Sequence, residues 1–249
     1  MTALPPGVNV RRVKMATKIE WCDETWNPVT GCSPISEGCE KCYASRMAKR
    51  LAGRYGYPKS PDQFQVTLHA DKLKEPLKWK KPCRVFLGSM TDLFHPNVTV
   101  IARHYIWKTI EACPQHTFMI LTKRPQYADC VVWLPNIWLG VTAENQARAD
   151  ERIPILLTIP AAKHFVSVEP MLGPVDLGYT FSSAYISAGG KPALDWVIAG
   201  PETGPGKREC KWEWISDLYD QCSKAGVPFF DKSKKYLTRE WPKPPSAKS

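Results

Sequence analysis

The sequence predicts an α/β fold, a partial (β/α)6 barrel formed by one large domain. Three observations predict it. Short apolar runs alternate with amphipathic stretches, which implies strand–helix units on a parallel sheet. The apolar runs are continuous and flanked by turn residues, which suits strands buried on both faces. Each run also ends in a polar cluster, and the loops after the C-terminal strand ends build the sites of parallel α/β folds. About six units are visible in the 249 residues, fewer than a closed eight-fold barrel.

Taken in order, residues 1–17 read as a loose N-terminal extension, with Met15 as an internal start. Residues 18–232 read as the barrel domain. "IEWCDETW" is strand-like, and "NPVTGCSPISEGC" is punctuated by Pro, Gly and Ser and reads as a loop. "EKCYASRMAKRLAG" begins a helix. The strands then fall at 84–90, 116–123, 137–143, 163–172, 194–200 and 227–232. Helical periodicity covers 100–113, 144–159 and 213–226, with a short helix at 127–134. Residues 233–249, rich in Pro, Lys and Ser, read as a basic tail. No repeat of solenoid length is present.

With 34 Lys and Arg against 24 Asp and Glu, the chain carries a formal charge of +10. Such an excess attracts polyanions. The expectation is that it gathers at the mouth of the site, around Lys41, Lys123 and Arg124. No run of about 18 uncharged apolar residues predicts a membrane helix, and the first residues lack the apolar core of a signal peptide. The expected location is the cytoplasm.

Three of the nine cysteines stand within eleven residues: Cys32, Cys39 and Cys42, in the spacing C-x6-C-x2-C. Cys22, Cys83, Cys113, Cys130, Cys210 and Cys222 are scattered singly and read as reduced thiols. A structural zinc site has four ligands, so the triplet would need a distant fourth. A [4Fe–4S] cluster explains three better, since three thiolates leave one iron open to a small molecule. Trp21 and Trp26 read as core packing, with stacking on a base as the alternative, and His95 as a structural residue, with a metal-ligand or acid/base role as the alternative.

A three-cysteine loop ahead of an incomplete barrel resembles the radical S-adenosylmethionine (radical SAM) superfamily. More narrowly, "IEWCDETWNPVTGCSPISEGCEKCYA", "FLGSMTDLFHP", "LTKRP", "LGVTAENQARADERIP", "VSVEPMLGPVDL" and "DWVIAGPETGPGKRE" resemble a phage-associated three-cysteine-motif family, long described only as a domain of unknown function. The likeness runs from about Lys18 to Lys232. The chain departs from the superfamily at Lys41, where an aromatic residue usually precedes the last cysteine.

The resemblance implies a TIM-like barrel of the radical SAM type with an N-terminal cluster-binding loop. It implies a [4Fe–4S] cluster on Cys32, Cys39 and Cys42, S-adenosyl-L-methionine as cofactor, and a 5′-deoxyadenosyl radical that abstracts hydrogen. By the same analogy Ser89, Asp92, Thr142, Glu144 and Asn145 hold S-adenosylmethionine. Glu169 and Glu202 are assigned with them, each alternatively a carboxylate paired within the barrel. Lys123 and Arg124 are offered to a carboxylate or phosphate of the substrate. "GSMTD", "GVTAEN", "SVEP" and "GPETG" should then converge on one cavity.

The expected substrate is DNA or a modified nucleotide, with isomerisation of an amino-acid-modified thymine in phage DNA as one reaction. An electron donor such as flavodoxin or ferredoxin is implied. Two alternatives stand beside this reading: a radical SAM enzyme acting on a small molecule or peptide, and a zinc-stabilised nucleic-acid-binding protein without catalysis.

Overall fold

The computed structural model describes residues 19–181, 193–233 and 238–242. The N-terminal extension and most of the basic tail lie outside the described residues. The first strand, β1 (Glu24–Trp26), leads into a short antiparallel pair, β2 (Val29–Thr30) with β3 (Thr67–Leu68). Six longer-spaced strands follow: β4 (Arg84–Leu87), β5 (Thr117–Thr122), β6 (Ile137–Thr142), β7 (Lys163–Val168), β8 (Trp196–Ala199) and β9 (Phe229–Asp231). The helices are α1 (Tyr43–Leu51), α2 (Val100–Glu111), α3 (Gln146–Thr158) and α4 (Trp212–Ala225).

The main sheet has seven strands in the order β1-β4-β5-β6-β7-β8-β9, every pair parallel. It is curled into a half-barrel. The six expected strands are all present. The seventh is β1, whose three residues pair Glu24 with Val85 and Trp26 with Leu87. It is too short and too polar to stand out as an apolar run.

Strand alternation divides the core in two. Val85, Phe118, Ile120, Leu139, Val141, Val166 and Val197 face outward and meet Ile106 and Ile110 of α2, Ile153 and Leu156 of α3, and Leu218 of α4. The inward residues Phe86, Met119, Trp138, Phe165, Trp196 and Phe230 fill the concave side with Trp21 and Cys22. Gly140 is required here, because a Cβ on it would come within 2.4 Å of the Phe165 ring. Helices on one face only let the sheet bend around its aromatic filling. Trp26 is core as expected, its indole N–H donating to the Lys72 carbonyl at 2.8 Å.

Local chemistry sets the helix ends. The Thr99 hydroxyl caps α2 by accepting from the Ala102 amide, and Asn145 caps α3 by accepting from the Arg148 amide. Gly226, at φ 68°, ends α4 in the left-handed conformation glycine tolerates.

Candidate functional site

The parallel sheet fixes the site's geography. Every polar cluster named above follows a strand, so all stand at one end of the half-barrel. The loop bearing Cys32, Cys39 and Cys42 leaves β1 at that same end and runs into α1, which starts directly after Cys42. All three thiols are free and partly exposed.

The loop is tied down from one strand end after another. After β4, Thr91 donates to the Gly31 carbonyl at 2.7 Å, and the Gly31 amide donates to the Met90 carbonyl at 2.9 Å. Asn27 holds the adjoining turn by bonding Ser89 and the Met90 amide. After β5, the Arg124 guanidinium donates to the Ser33 carbonyl at 2.8 Å and to the Cys32 sulfur at 3.5 Å. Asp92 anchors that arginine at 3.2 Å, and both are buried. His95 joins them: its Nδ1 accepts from the Asn97 amide, so in the neutral ring Nε2–H donates to Ser33 Oγ at 2.8 Å. Burial and the Arg124 charge lower the His95 pKa, which favours that neutral ring.

After β6, Glu144 sits with no exposed surface, paired with Arg152 at 2.8 Å and with Lys123 at 3.3 Å. Ser36 of the loop donates to the same carboxylate. Gly38 presses on it so closely that a Cβ would lie 2.4 Å from Glu144 Oε1. Beside it Glu37 accepts from Asn145 and from Arg148 at 3.1 Å. Its own backbone amide, then Arg148 and Asn145, hold the Glu37 carboxyl down at about 2. After β8, Arg208 grips Glu202, the Glu37 carbonyl at 3.0 Å and Glu40 at 3.1 Å. Lys41 reaches the Gly206 carbonyl, and Arg46 reaches the Thr203 carbonyl at 2.9 Å.

Of the expected cofactor residues, then, several already have protein partners. Asp92 accepts from Phe94, Thr122, Lys123 and Arg124, which fills its four lone-pair positions. Asn145 spends its oxygen on the α3 cap and its nitrogen on Glu37. Thr142 is buried at the end of β6 and lends its carbonyl to Arg152. Arg124, offered to a substrate, is 4% exposed and turned to the loop. Lys123 faces Glu144 and lies near Cys39. Glu169 is paired across the sheet with Lys232 at 2.6 Å. Gly200 on the intervening strand makes room, since a Cβ there would meet Lys232 Cβ at 2.8 Å.

"GSMTD", "GVTAEN" and "GPETG" thus converge on the cysteine loop, and "SVEP" on Lys232. The loop packs onto these ends. Two clefts lie elsewhere: one of about 360 Å³ lined by Val100, His104 and Trp107 of α2 with Val131 and Val132, one of about 450 Å³ beside His116 and Trp138. Among the described residues, no three His, Cys, Asp or Glu side chains close on a point that would hold one metal ion.

The thiols differ electrostatically. Burial would raise Cys39, but Lys123, backbone hydrogen bonds at Ile35 and Ser36, and the Ser36 hydroxyl outweigh it, and its pKa falls below the ordinary thiol value. Burial, then Asp92, pushes Cys32 up despite Arg124. Burial pushes Cys22 and Cys222 up to about 12, and Cys83 and Cys210 up to about 11. Among the described cysteines with a shifted pKa, only Cys39 moves toward the thiolate that binds metal.

Much of the charge lies outside the described residues. Nine Lys and Arg and no acidic residue fall at positions 1–18, 182–192, 234–237 and 243–249, so the described residues carry only +1. Lys41, Lys123 and Arg124 each face a carboxylate.

Sequence reasoning missed Arg148, Arg152, Arg208 and Lys232, which hold the site together. The signal for Arg148 and Arg208 was the run "SEGCEKC", whose Glu37 and Glu40 need cations from the barrel; for Lys232 it was Glu169, read as a carboxylate that could be paired within the barrel.

A family model described as "Protein of unknown function (DUF5131)" matches residues 16–242. No curated protein and no solved structure matches the chain.

Proposed function

The chain belongs to the DUF5131 family, and we propose that this member is a radical S-adenosylmethionine enzyme acting on a nucleobase or nucleic acid. One observation carries the reading: three free thiols share a single loop over the C-terminal strand ends, and the barrel braces that loop through three arginines, Arg124, Arg148 and Arg208, while Arg152 holds the Glu144 carboxylate that accepts from Ser36 of the loop.

The donor set suits a [4Fe–4S] cluster on Cys32, Cys39 and Cys42. Protein groups already contact two of the sulfurs: Arg124 donates to Cys32 at 3.5 Å, and Ser36, its proton given to Glu144, lies 3.6 Å from the Cys39 sulfur. Such hydrogen bonds are the means by which a protein tunes a cluster. When bound, the cluster would supply the electron that cleaves the sulfonium C–S bond of S-adenosylmethionine, and the protein would supply binding, orientation and exclusion of water.

The chain's own residues have definable tasks in that scheme. Arg124 and Lys123 place positive charge beside Cys32 and Cys39 and so favour their thiolates. Asp92 and Glu144 hold those two cations in position rather than meeting a ligand themselves. Ser89, Thr142, Asn145 and Glu202 line the same strand ends. Glu169 and Lys232 are both partly exposed and bring a carboxylate and an ammonium together at the end of the sheet. A zwitterion such as the methionine moiety, with one group of each sign, could exchange for either partner of that pair.

The test is an anaerobic preparation, reconstituted with iron and sulfide, given S-adenosylmethionine and a reductant. The reading expects 5′-deoxyadenosine, with none from Cys39→Ala. Its absence from a preparation with a full cluster would refute the activity.

A further inference from the structure

We infer that α1 and the turn after it form a docking surface for single-stranded nucleic acid, running outward from the cysteine loop. The inference rests on the proposal that the substrate is a nucleic acid, and names the surface that would hold it.

The first observation is charge. Residues 41–61 contain Lys41, Arg46, Lys49, Arg50, Arg54 and Lys59 and no acidic residue. That block carries +6, whereas all the described residues together carry +1. The rest of the described chain is therefore net acidic in sum, and this block is a basic stretch with no acidic residue in it. Lys49, Arg50, Arg54 and Lys59 are exposed. Unlike the strand-end cations, none of these four is within ion-pair distance of a carboxylate among the described residues. Arg46 and Arg50 are one helical turn apart on α1, about 6 Å, and Arg54, in the turn that follows, folds back to donate to the Arg50 carbonyl at 2.7 Å. They make one stripe leading away from Cys42.

The second observation is aromatic. Tyr43 at the start of α1 is 50% exposed, and Tyr55 beyond its end is 75% exposed. Tyr55 is held out by a built turn. It has φ 52°, the one positive φ of a non-glycine among the described residues, between Gly53 and Gly56, which are also positive. The turn is closed by Gly53 donating to the Pro58 carbonyl at 3.1 Å and Tyr57 to the Arg54 carbonyl at 2.9 Å. Gly56 fits only as glycine, since a Cβ would lie 2.7 Å from His69 Nδ1. Tyr57 is buried against the same histidine. A strained backbone that keeps a large ring in water costs free energy and is retained where the ring has a task.

Cations track a phosphate backbone, and exposed aromatic faces stack bases of any sequence, which is how single strands are bound. A duplex hides its base faces and would leave both tyrosines unused. The surface begins at the residue after Cys42, so a strand lying on it would lead toward the loop.

The experiment measures binding of a labelled single-stranded oligodeoxynucleotide to the full chain across 50–200 mM salt. Three proteins are compared: wild type, the quadruple variant Lys49→Gln/Arg50→Gln/Arg54→Gln/Lys59→Gln, and Tyr55→Asn, in which asparagine tolerates positive φ. The quadruple variant should lower the log–log salt slope by about 3, at roughly 0.7 per lost phosphate contact. Tyr55→Asn should weaken binding about 5- to 150-fold with an unchanged slope. All should keep the wild-type circular dichroism. An unchanged slope, tighter binding to the matching duplex, or loss of reduction by an acidic protein donor with oligonucleotide binding intact would overturn the inference. Absence of binding by the wild type would overturn both it and the nucleic-acid substrate. Absence of 5′-deoxyadenosine with binding intact would overturn only the proposed chemistry.

Discussion

Gly38→Ala tests how the cysteine loop is seated. The added methyl would lie 2.4 Å from Glu144 Oε1, 2.5 Å from its Cγ and 2.8 Å from its Cδ. Ordinary contact needs roughly 1 Å more. Glu144 cannot yield cheaply, because it is fully buried and shared between Arg152 and Lys123. Breaking a buried pair of that kind costs about 3–5 kcal/mol. The loop is the softer partner, so it lifts, giving up the Ser36–Glu144 hydrogen bond for an overpacking cost of about 1–3 kcal/mol. In a chain of this size that lowers the thermal midpoint by about 3–10 °C. Calorimetry reads the midpoint, and iron retention after anaerobic reconstitution reads the displaced Cys39. Gly173→Ala is the control, since its methyl would meet only Asn145 Cβ, at 3.7 Å. A Gly38→Ala protein with the wild-type midpoint and full iron would refute the seating of the loop on Glu144.

Other outcomes follow from the same contacts. Asp92→Asn leaves the Arg124 guanidinium buried without its counter-charge and should cost about 3–5 kcal/mol by denaturant unfolding, whereas pairing it with Arg124→Met should recover part of that loss. Glu37, held at about 2 against an ordinary 4.5, contributes stability above pH 4.5 that is lost as pH falls toward 2. With its side chain 32% exposed, about 1–2 kcal/mol is expected, and Arg148→Met should flatten the acid limb of the unfolding curve. In cluster-free protein Cys39 should be alkylated faster than Cys32 near pH 8, and Lys123→Met should slow it; equal rates would contradict the electrostatics described for the loop.

The parallel strands were legible because burial on both faces leaves long apolar runs such as "HTFMILTK" and "IWLGVTA". β1 was legible only as the strand-like text "IEWCDETW" and not as a counted strand, because only Trp26 of its three residues is buried and it shows no apolar run. The placement of the cysteine loop followed from its position after that first strand. The network around it did not. Arg208 is 168 residues from Glu40, and Lys232 is 63 residues from Glu169, distances over which sequence spacing carries no information. The same holds for Asp92 and Glu144. Their residue type suggested ligand contacts, but only the fold shows their oxygens turned to Arg124 and Arg152. The charge was legible in amount but not in distribution, because composition counts nine lysines and arginines outside the described residues with the rest.

The central claim is that Cys32, Cys39 and Cys42 together hold an iron–sulfur cluster. Its most direct test is the iron, sulfide and zinc content of protein purified anaerobically, for the wild type and for Cys32→Ala, Cys39→Ala, Cys42→Ala and Cys222→Ala. The account predicts about four irons and four sulfides per chain in the wild type and in Cys222→Ala, with loss of cluster in each of the other three. Zinc without sulfide in the wild type, or a full cluster in Cys39→Ala, would contradict it.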